Sequence, residues 1–234
     1  MHLVFFAFAL LSNIDIWILP IDSDRATSTG ELARVTSDPA IDQRPSLSED
    51  GRKIAWETNR GGEFDVWVKD LVSGKEKAIT SGPLREHMPA MSPDGSRLVY
   101  DAHDDEKVTV LVTSFEGGEP LNVWAESVGQ GSFQWTKRTG SILYFHREPP
   151  GTLGLMDLAT KKRTVLLRHP KLNFSLADAR LSPDGHWIAF PVPLDANHSR
   201  LAVARVSGKV IEDERDWTYI TPETYNSWQP EWSH

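Results

Sequence analysis

The chain has 234 residues, with 33 acidic against 25 basic side chains, a formal net charge of −8 and no cysteine. The missing cysteine excludes disulfides and thiolate chemistry, and without a run of Lys and Arg fit to grip a phosphate backbone no nucleic acid is expected as a partner. Hydrophobic residues make up 39%, with nine Trp and nine Phe among the aromatics, enough to build a core without staples.

The first segment, residues 1–11, is apolar but has no Lys or Arg ahead of it and no small-x-small cleavage site directly after it. It is also too short to span a bilayer, so no membrane span is expected. It aligns with an internal copy instead. Asp15-Ile16-Trp17-Ile18 matches Asp65-Val66-Trp67-Val68 at an offset of 50, and the same offset lays Val4-Phe5-Phe6 on Ile54-Ala55-Trp56. Strands are therefore expected at 3–8, 14–20 and 32–36.

From here a phrase repeats: a residue, Ser, then an acidic turn closing on Gly, followed by a short apolar strand. It stands at Leu47-Ser48-Glu49-Asp50-Gly51, Met91-Ser92-Pro93-Asp94-Gly95 and Leu181-Ser182-Pro183-Asp184-Gly185, with a degenerate copy at Trp135-Thr136 to Gly140 and a cut-off one at Trp232-Ser233. The steps between copies are 44, 44, 46 and 51 residues. A strand-rich repeat of about 40–45 residues is the mark of a β-propeller with one four-stranded antiparallel blade per repeat. The fold class predicted is all-β, a propeller of about five blades.

The clearest blade predicts strands at 45–48, 53–57, 64–69 and 75–80. The next repeats the pattern around Leu98-Val99-Tyr100, 107–112 and 120–123. The fourth places strands at 133–135, 141–145, 153–157 and 163–167. The fifth has them at 179–181, 187–190, 200–205 and 217–221, with the acidic insertion Glu212-Asp213-Glu214 lengthening its last hairpin. Lys161-Lys162-Arg163 falls between two of these strands and reads as a charged turn. Residues 1–234 are read as one propeller domain. Its phase leaves two organisations open: a ring whose first blade is completed by the C-terminal strand 229–233, or a piece of a longer propeller.

The repeats resemble the TolB-like propeller family, with WD-repeat-like blades carrying Pro-x-Trp-Ser-Pro-Asp-Gly and Asp-Ile-Trp phrases. The resemblance rests on Pro45–Gly51, Pro89–Gly95, Leu181–Gly185 and Pro230–Ser233, and on Asp15-Ile16-Trp17 and Asp65-Val66-Trp67. It covers nearly the whole chain and departs from the family's usual six blades. It implies a bacterial periplasmic or envelope location, with the cytoplasm as the alternative. It also implies a role as an interaction protein or as the accessory propeller of an S9-type peptidase, kinase or regulator.

Catalytic patterns are absent from the sequence. There is no Gly-x-Ser-x-Gly elbow, no His-Glu-x-x-His and no cysteine-based zinc pattern, so neither an enzyme nor a bound cofactor or metal is expected. The eight His are scattered singly. Asp101, Asp104, Asp105 and Glu106 lack the spacing of a calcium loop and read as a solvated turn. Trp17, Trp56 and Trp67 repeat at matching strand positions and read as packing between blades. Function is expected where loops enter the inner strands at one mouth of the channel. The candidate binding residues there are Asp42, Arg44, His87, Gln134, Arg180, Trp228 and Glu231, flanked by Gln43, Arg85, Glu86, Gln130, Asp178 and Asn226. Arg and Trp among them favour a protein or peptide partner, bound by a monomer.

Overall fold

The computed structural model describes residues 2–8, 14–22, 25, 27–126, 133–136, 140–146, 150–172, 176, 178–195, 198–223, 230 and 232. Among them are five four-stranded antiparallel sheets, in two compact units, Met1–Ala125 and Glu126–His234. The chain is thus all-β, a propeller of five blades, as the repeat predicts. No helix among the described residues is long and apolar enough to cross a membrane.

The first unit holds three blades. The first contains β1 (His2–Phe8), β2 (Ile14–Asp22), β3 (Thr27–Ser28) and β4 (Ala33–Arg34); β3 and β4 both pair with β2. The two-residue β3 was not foreseen. The second runs in order through β5 (Asp42–Leu47), β6 (Lys53–Thr58), β7 (Asp65–Asp70) and β8 (Glu76–Ala78). The third has β9 (Arg85–Met91), β10 (Arg97–His103), β11 (Val108–Ser114) and β12 (Leu121–Glu126). The second unit holds the other two, β13 (Phe133–Trp135) to β16 (Arg163–His169) through β14 (Ser141–His146) and β15 (Gly151–Asp157), and β17 (Arg180–Leu181) to β20 (Trp217–Tyr219) through β18 (Trp187–Pro193) and β19 (Ser199–Arg205).

The three Ser-x-Asp-Gly copies of the phrase fold the same way. The Ser48 amide donates to the Lys53 carbonyl at 2.9 Å, and the Ser48 hydroxyl accepts the Lys53 amide at 3.0 Å. That hydroxyl also donates to Asp50 Oδ1 at 2.6 Å, and Gly51 turns at φ 68°, where a Cβ would be strained. Ser92 with Asp94 and Gly95 (φ 65°), and Ser182 with Asp184 and Gly185 (φ 75°), reproduce this turn. The Ser hydroxyl holds Asp94 and Asp184 down at about 2.

A second repeated device was not read from the sequence. The Val66 amide donates to Thr80 Oγ1 at 2.8 Å while the Val66 carbonyl accepts the Ile79 amide at 2.8 Å. Thr36 holds Ile16, and Thr221 holds Leu201, by the same pair of bonds. A Val-Thr or Ile-Thr pair thus clasps the outer chain of three blades to β2, β7 or β19, where the ladder ends.

The apolar core sits between successive blades. In the first unit Ile16, Ile18 and Val35 pack on Ile54 and Trp56, and Ala55 and Val68 pack on Met91, Leu98 and Phe115. In the second unit Leu143, Phe145, Leu153 and Leu167 pack on Ile188, Phe190 and Trp217. Trp56 is fully buried, as expected of a packing residue; Trp17 and Trp67 are half-buried, each with an arginine over its ring.

The acidic insertion does more than lengthen a hairpin. The Ile211 amide donates to Leu166 O at 2.9 Å and Ile211 O accepts the Arg168 amide at 3.0 Å, so the segment adds a bridge to β16 of the preceding blade. Glu212 pairs with Arg168 and Glu214 with Lys171 alongside. Asp101 also departs from expectation: it is buried on β10, and only the remainder of its acidic group forms the turn, where Asp104 accepts the amides of Glu106 and Lys107. Of the C-terminal segment 229–233, only Pro230 and Trp232 are described, so completion of the first blade lies outside the described residues; the Trp232 indole donates to Arg180 O at 2.9 Å.

Candidate functional site

Proline in the repeated phrase shapes the site. Pro45 and Pro89 lack an amide proton and cannot take a place in a ladder, so each inner strand bulges there. In β5 the register jumps from Gln43 opposite Glu57 to Ser46 opposite Ala55; in β9 it jumps from His87 opposite Asp101 to Ala90 opposite Val99. The residue before each proline, Arg44 or Met88, takes a left-handed backbone, φ 52° and 55°. Such a conformation in a residue with a Cβ costs on the order of 1–2 kcal/mol, and it re-aims both residues. The third copy has Ala179 in place of the proline.

Both re-aimed residues converge on Glu57, a carboxylate on β6 with 0% side-chain exposure. Gln43 Nε2 donates to its Oε1 at 2.7 Å and the Met88 amide donates to its Oε2 at 2.8 Å. Arg44 Nε lies 3.2 Å and His87 Nδ1 3.4 Å from Oε1. Arg44 Nη1 donates to Met88 Sδ at 2.9 Å, while its side chain remains 49% exposed. The arginine is therefore pinned from within and presents the rest of its guanidinium outward. His87 stacks edge-on against His103 at 5.3 Å between ring centres, and His103 Nε2 lies 3.3 Å from Asp101 Oδ1. Two of the scattered histidines thus meet at the bulge. No group of three or more His, Asp or Glu among the described residues is placed to hold a metal ion.

Further carboxylates on these two blades are buried, among them Asp42 and Glu86. Asp42 accepts the Trp56 indole at 3.1 Å and lies 4.0 Å from Arg60, which stacks on Trp67 and pairs with Asp38 and Glu76. Burial raises its pKa. Burial also lifts Glu86 to about 7, helped by the charge of Asp65. Tyr100 is pushed to about 12 by burial and then by Glu86.

The proposed residues separate accordingly. Arg44 and His87 come together on Glu57, whereas Asp42 faces the core around Trp56 and Arg60. In the second unit Gln134 binds the main chain of Leu181 at both ends, accepting its amide at 2.9 Å and donating to its carbonyl at 3.2 Å. Arg180 donates to Ala179 O at 3.0 Å. Arg85 is exposed and Asp178 half-buried. Gln130, Asn226, Trp228 and Glu231 lie outside the described residues. Glu57 was missed because a strand-end glutamate reads as solvent-facing; the signal was its place beside Trp56 on a strand of small and aromatic residues. The second unit also carries a cleft of about 300 Å³ on β14 to β16, lined by Tyr144, His146, Thr152, Arg163, Val165 and Arg168.

No family model matches the sequence. Over 69 residues, 30% of this chain, it is 33% identical to tricorn protease homolog 1 of Streptomyces coelicolor, of which it spans 6%. In structure it resembles TolB from Acinetobacter baumannii, with a TM-score of 0.70 and 18% identity over 92% of this chain and 50% of that one. A putative TolB from Agrobacterium tumefaciens gives a TM-score of 0.66 and 20% identity over 86% of this chain and 69% of that one. The five four-stranded blades, the Ser-x-Asp-Gly turns and these likenesses agree, and the fold of this chain is that of a TolB-like β-propeller.

Proposed function

We propose that this propeller is a non-catalytic binding module that takes a protein or peptide at the bulged ends of its second and third blades. The observation behind this reading is Arg44, held in a strained backbone and anchored to the buried Glu57 while about half its side chain faces outward. Strain of this kind persists where the surrounding structure enforces it, and it clusters at functional sites. An anchored arginine has little conformational freedom left to lose on binding, which is why such residues dominate interface energetics. The likeness to TolB structures suits an envelope protein of this kind. The test is peptide display selected on the intact chain and counter-selected on Arg44→Gly, with calorimetry on the enriched peptides. Peptides that bind the intact chain and lose at least about tenfold affinity on Arg44→Gly and His87→Ala support the site. Enrichment that ignores both substitutions overturns it.

A second reading draws on the stretch 33% identical to the tricorn protease homolog: the chain serves as an accessory propeller beside a peptidase. Under that reading the purified chain gives no labelling with a serine-hydrolase probe alone, and it shifts the substrate preference of a peptidase encoded alongside it. Absence of any such shift counts against it.

A further inference from the structure

The sequence contains three Asp-Gly pairs, Asp50-Gly51, Asp94-Gly95 and Asp184-Gly185, and all three fall in the repeated turn. Among aspartyl pairs, Asp-Gly is the one most open to succinimide formation, because glycine has no side chain to hinder its own nitrogen. That nitrogen attacks the aspartate Cγ; the new C–N bond forms, the carboxyl C–O bond breaks, and the oxygen and the amide proton leave as water. Water then adds to the resulting succinimide, and opening at the former main-chain carbonyl leaves an isoaspartyl linkage with one extra methylene in the backbone. The first step needs a neutral carboxyl group and a glycine nitrogen free to approach it.

We propose that these three pairs are latent isoaspartate sites that the Ser-x-Asp-Gly turn holds shut, with Asp50 the least guarded. Each requirement is blocked by a bond in the turn. The Gly51, Gly95 and Gly185 amides donate to the carbonyls of Ser48, Ser92 and Ser182 at 2.9, 2.8 and 2.8 Å. Each aspartate Oδ1 is turned to the Ser hydroxyl at 2.6 Å and to the amide two residues on at 2.9–3.0 Å. Donors to the ionised form oppose the neutral carboxyl, which agrees with Asp94 and Asp184 held at about 2.

The guards differ in number. Asp94 gains the Ser96 hydroxyl at 2.7 Å. Asp184 has His186 Nδ1 at 3.2 Å. At the matching position beside Asp50 stands Arg52, whose amide is the group that bonds the carboxylate. The Ser of the phrase thereby does two things, closing the turn and keeping the acid beside it from rearranging. The degenerate copy, Thr139-Gly140, carries no aspartate to guard.

The test incubates the intact chain at mildly acidic pH, folded and in urea, and scores isoaspartate at each pair by enzymatic methyl transfer and peptide mapping. Folded chain is expected to accumulate isoaspartate roughly tenfold or more slowly than unfolded chain at all three pairs, with Asp50 leading. Ser92→Ala removes the first of the three donors that hold Asp94 at about 2 and is expected to raise the rate at Asp94 severalfold, roughly three- to tenfold, leaving the other two pairs unchanged. Local acceleration separates a lost guard from unfolding, which would raise all three together. Should Ser92→Ala fail to fold, the folded and urea-treated wild-type rates decide. Equal rates in those two states, or a folded Ser92→Ala with no change at Asp94, overturn the proposal; Asp94 or Asp184 leading in the folded wild type overturns the ranking.

Discussion

Glu57 illustrates how one buried carboxylate can organise the residues around it. Its two oxygens engage Gln43, Arg44, His87 and the Met88 amide, so Glu57→Ala takes the acceptor from these half-buried donors and opens a gap behind them. The expected cost is about 1–3 kcal/mol in urea denaturation. Arg44→Gly removes one of those partners but lets the backbone hold φ 52° without strain, and the two effects offset to within about 1 kcal/mol. Glu86 gives a pH prediction. Its folded pKa of about 7 lies above the ordinary 4.5, so the folded state binds the extra proton. Its contribution is fully present below pH 4.5 and is lost as the pH rises through 7. Glu86→Gln should therefore be more stable than wild type at pH 8 by on the order of 1–2 kcal/mol and gain little or nothing at pH 4, measured by paired melts. Arg44 and His87 could be named from the sequence because both stand where the chain enters an inner strand. Glu57 was passed over, since its place beside Trp56 hints at burial only once the covering strand is known.

Among the elements, the turn and the inner strands were legible and the clasp was not. Ser, Asp and Gly at fixed spacing announce a turn through their own local bonds. The bonds of Thr36, Thr80 and Thr221 reach 20, 14 and 20 residues back along the chain, across a hairpin whose length varies. Thr80→Val keeps the shape and deletes the hydroxyl, leaving the Val66 amide and Asp65 Oδ1 without a bond they now make. It should cost about 1–3 kcal/mol by urea denaturation, and Thr80→Ser should recover most of that. Thr36→Val in another blade should add to it independently.

Within each unit burial is shared between neighbouring blades, so stability there should be a sum of blade and interface contributions. Trp217 stands edge-on against Phe190 and His169 at 5.4 and 5.2 Å and joins β20 to the core of the second unit. Trp217→Ala is expected to cost about 3–5 kcal/mol and to lower amide-exchange protection in β16, β18 and β19, with much smaller changes in β6 and β10. The period of the phrase made the blade count legible, because a repeat survives substitution of most of its members. The insertion at 212–214 was legible only as extra length, since the bonds it and the adjoining Ile211 make to β16 belong to another repeat.

Bonds from one copy of the phrase to the next bear on how such a chain can change in length. Ser46 accepts the amide of Met91, and Gln134 accepts that of Leu181, 45 and 47 residues on. Acceptor and donor occupy the same places in successive copies of the phrase. A gene that gained or lost one whole copy would therefore present each acceptor with an equivalent amide, whereas a partial duplication would orphan both. Growth by entire modules is the change this bonding tolerates.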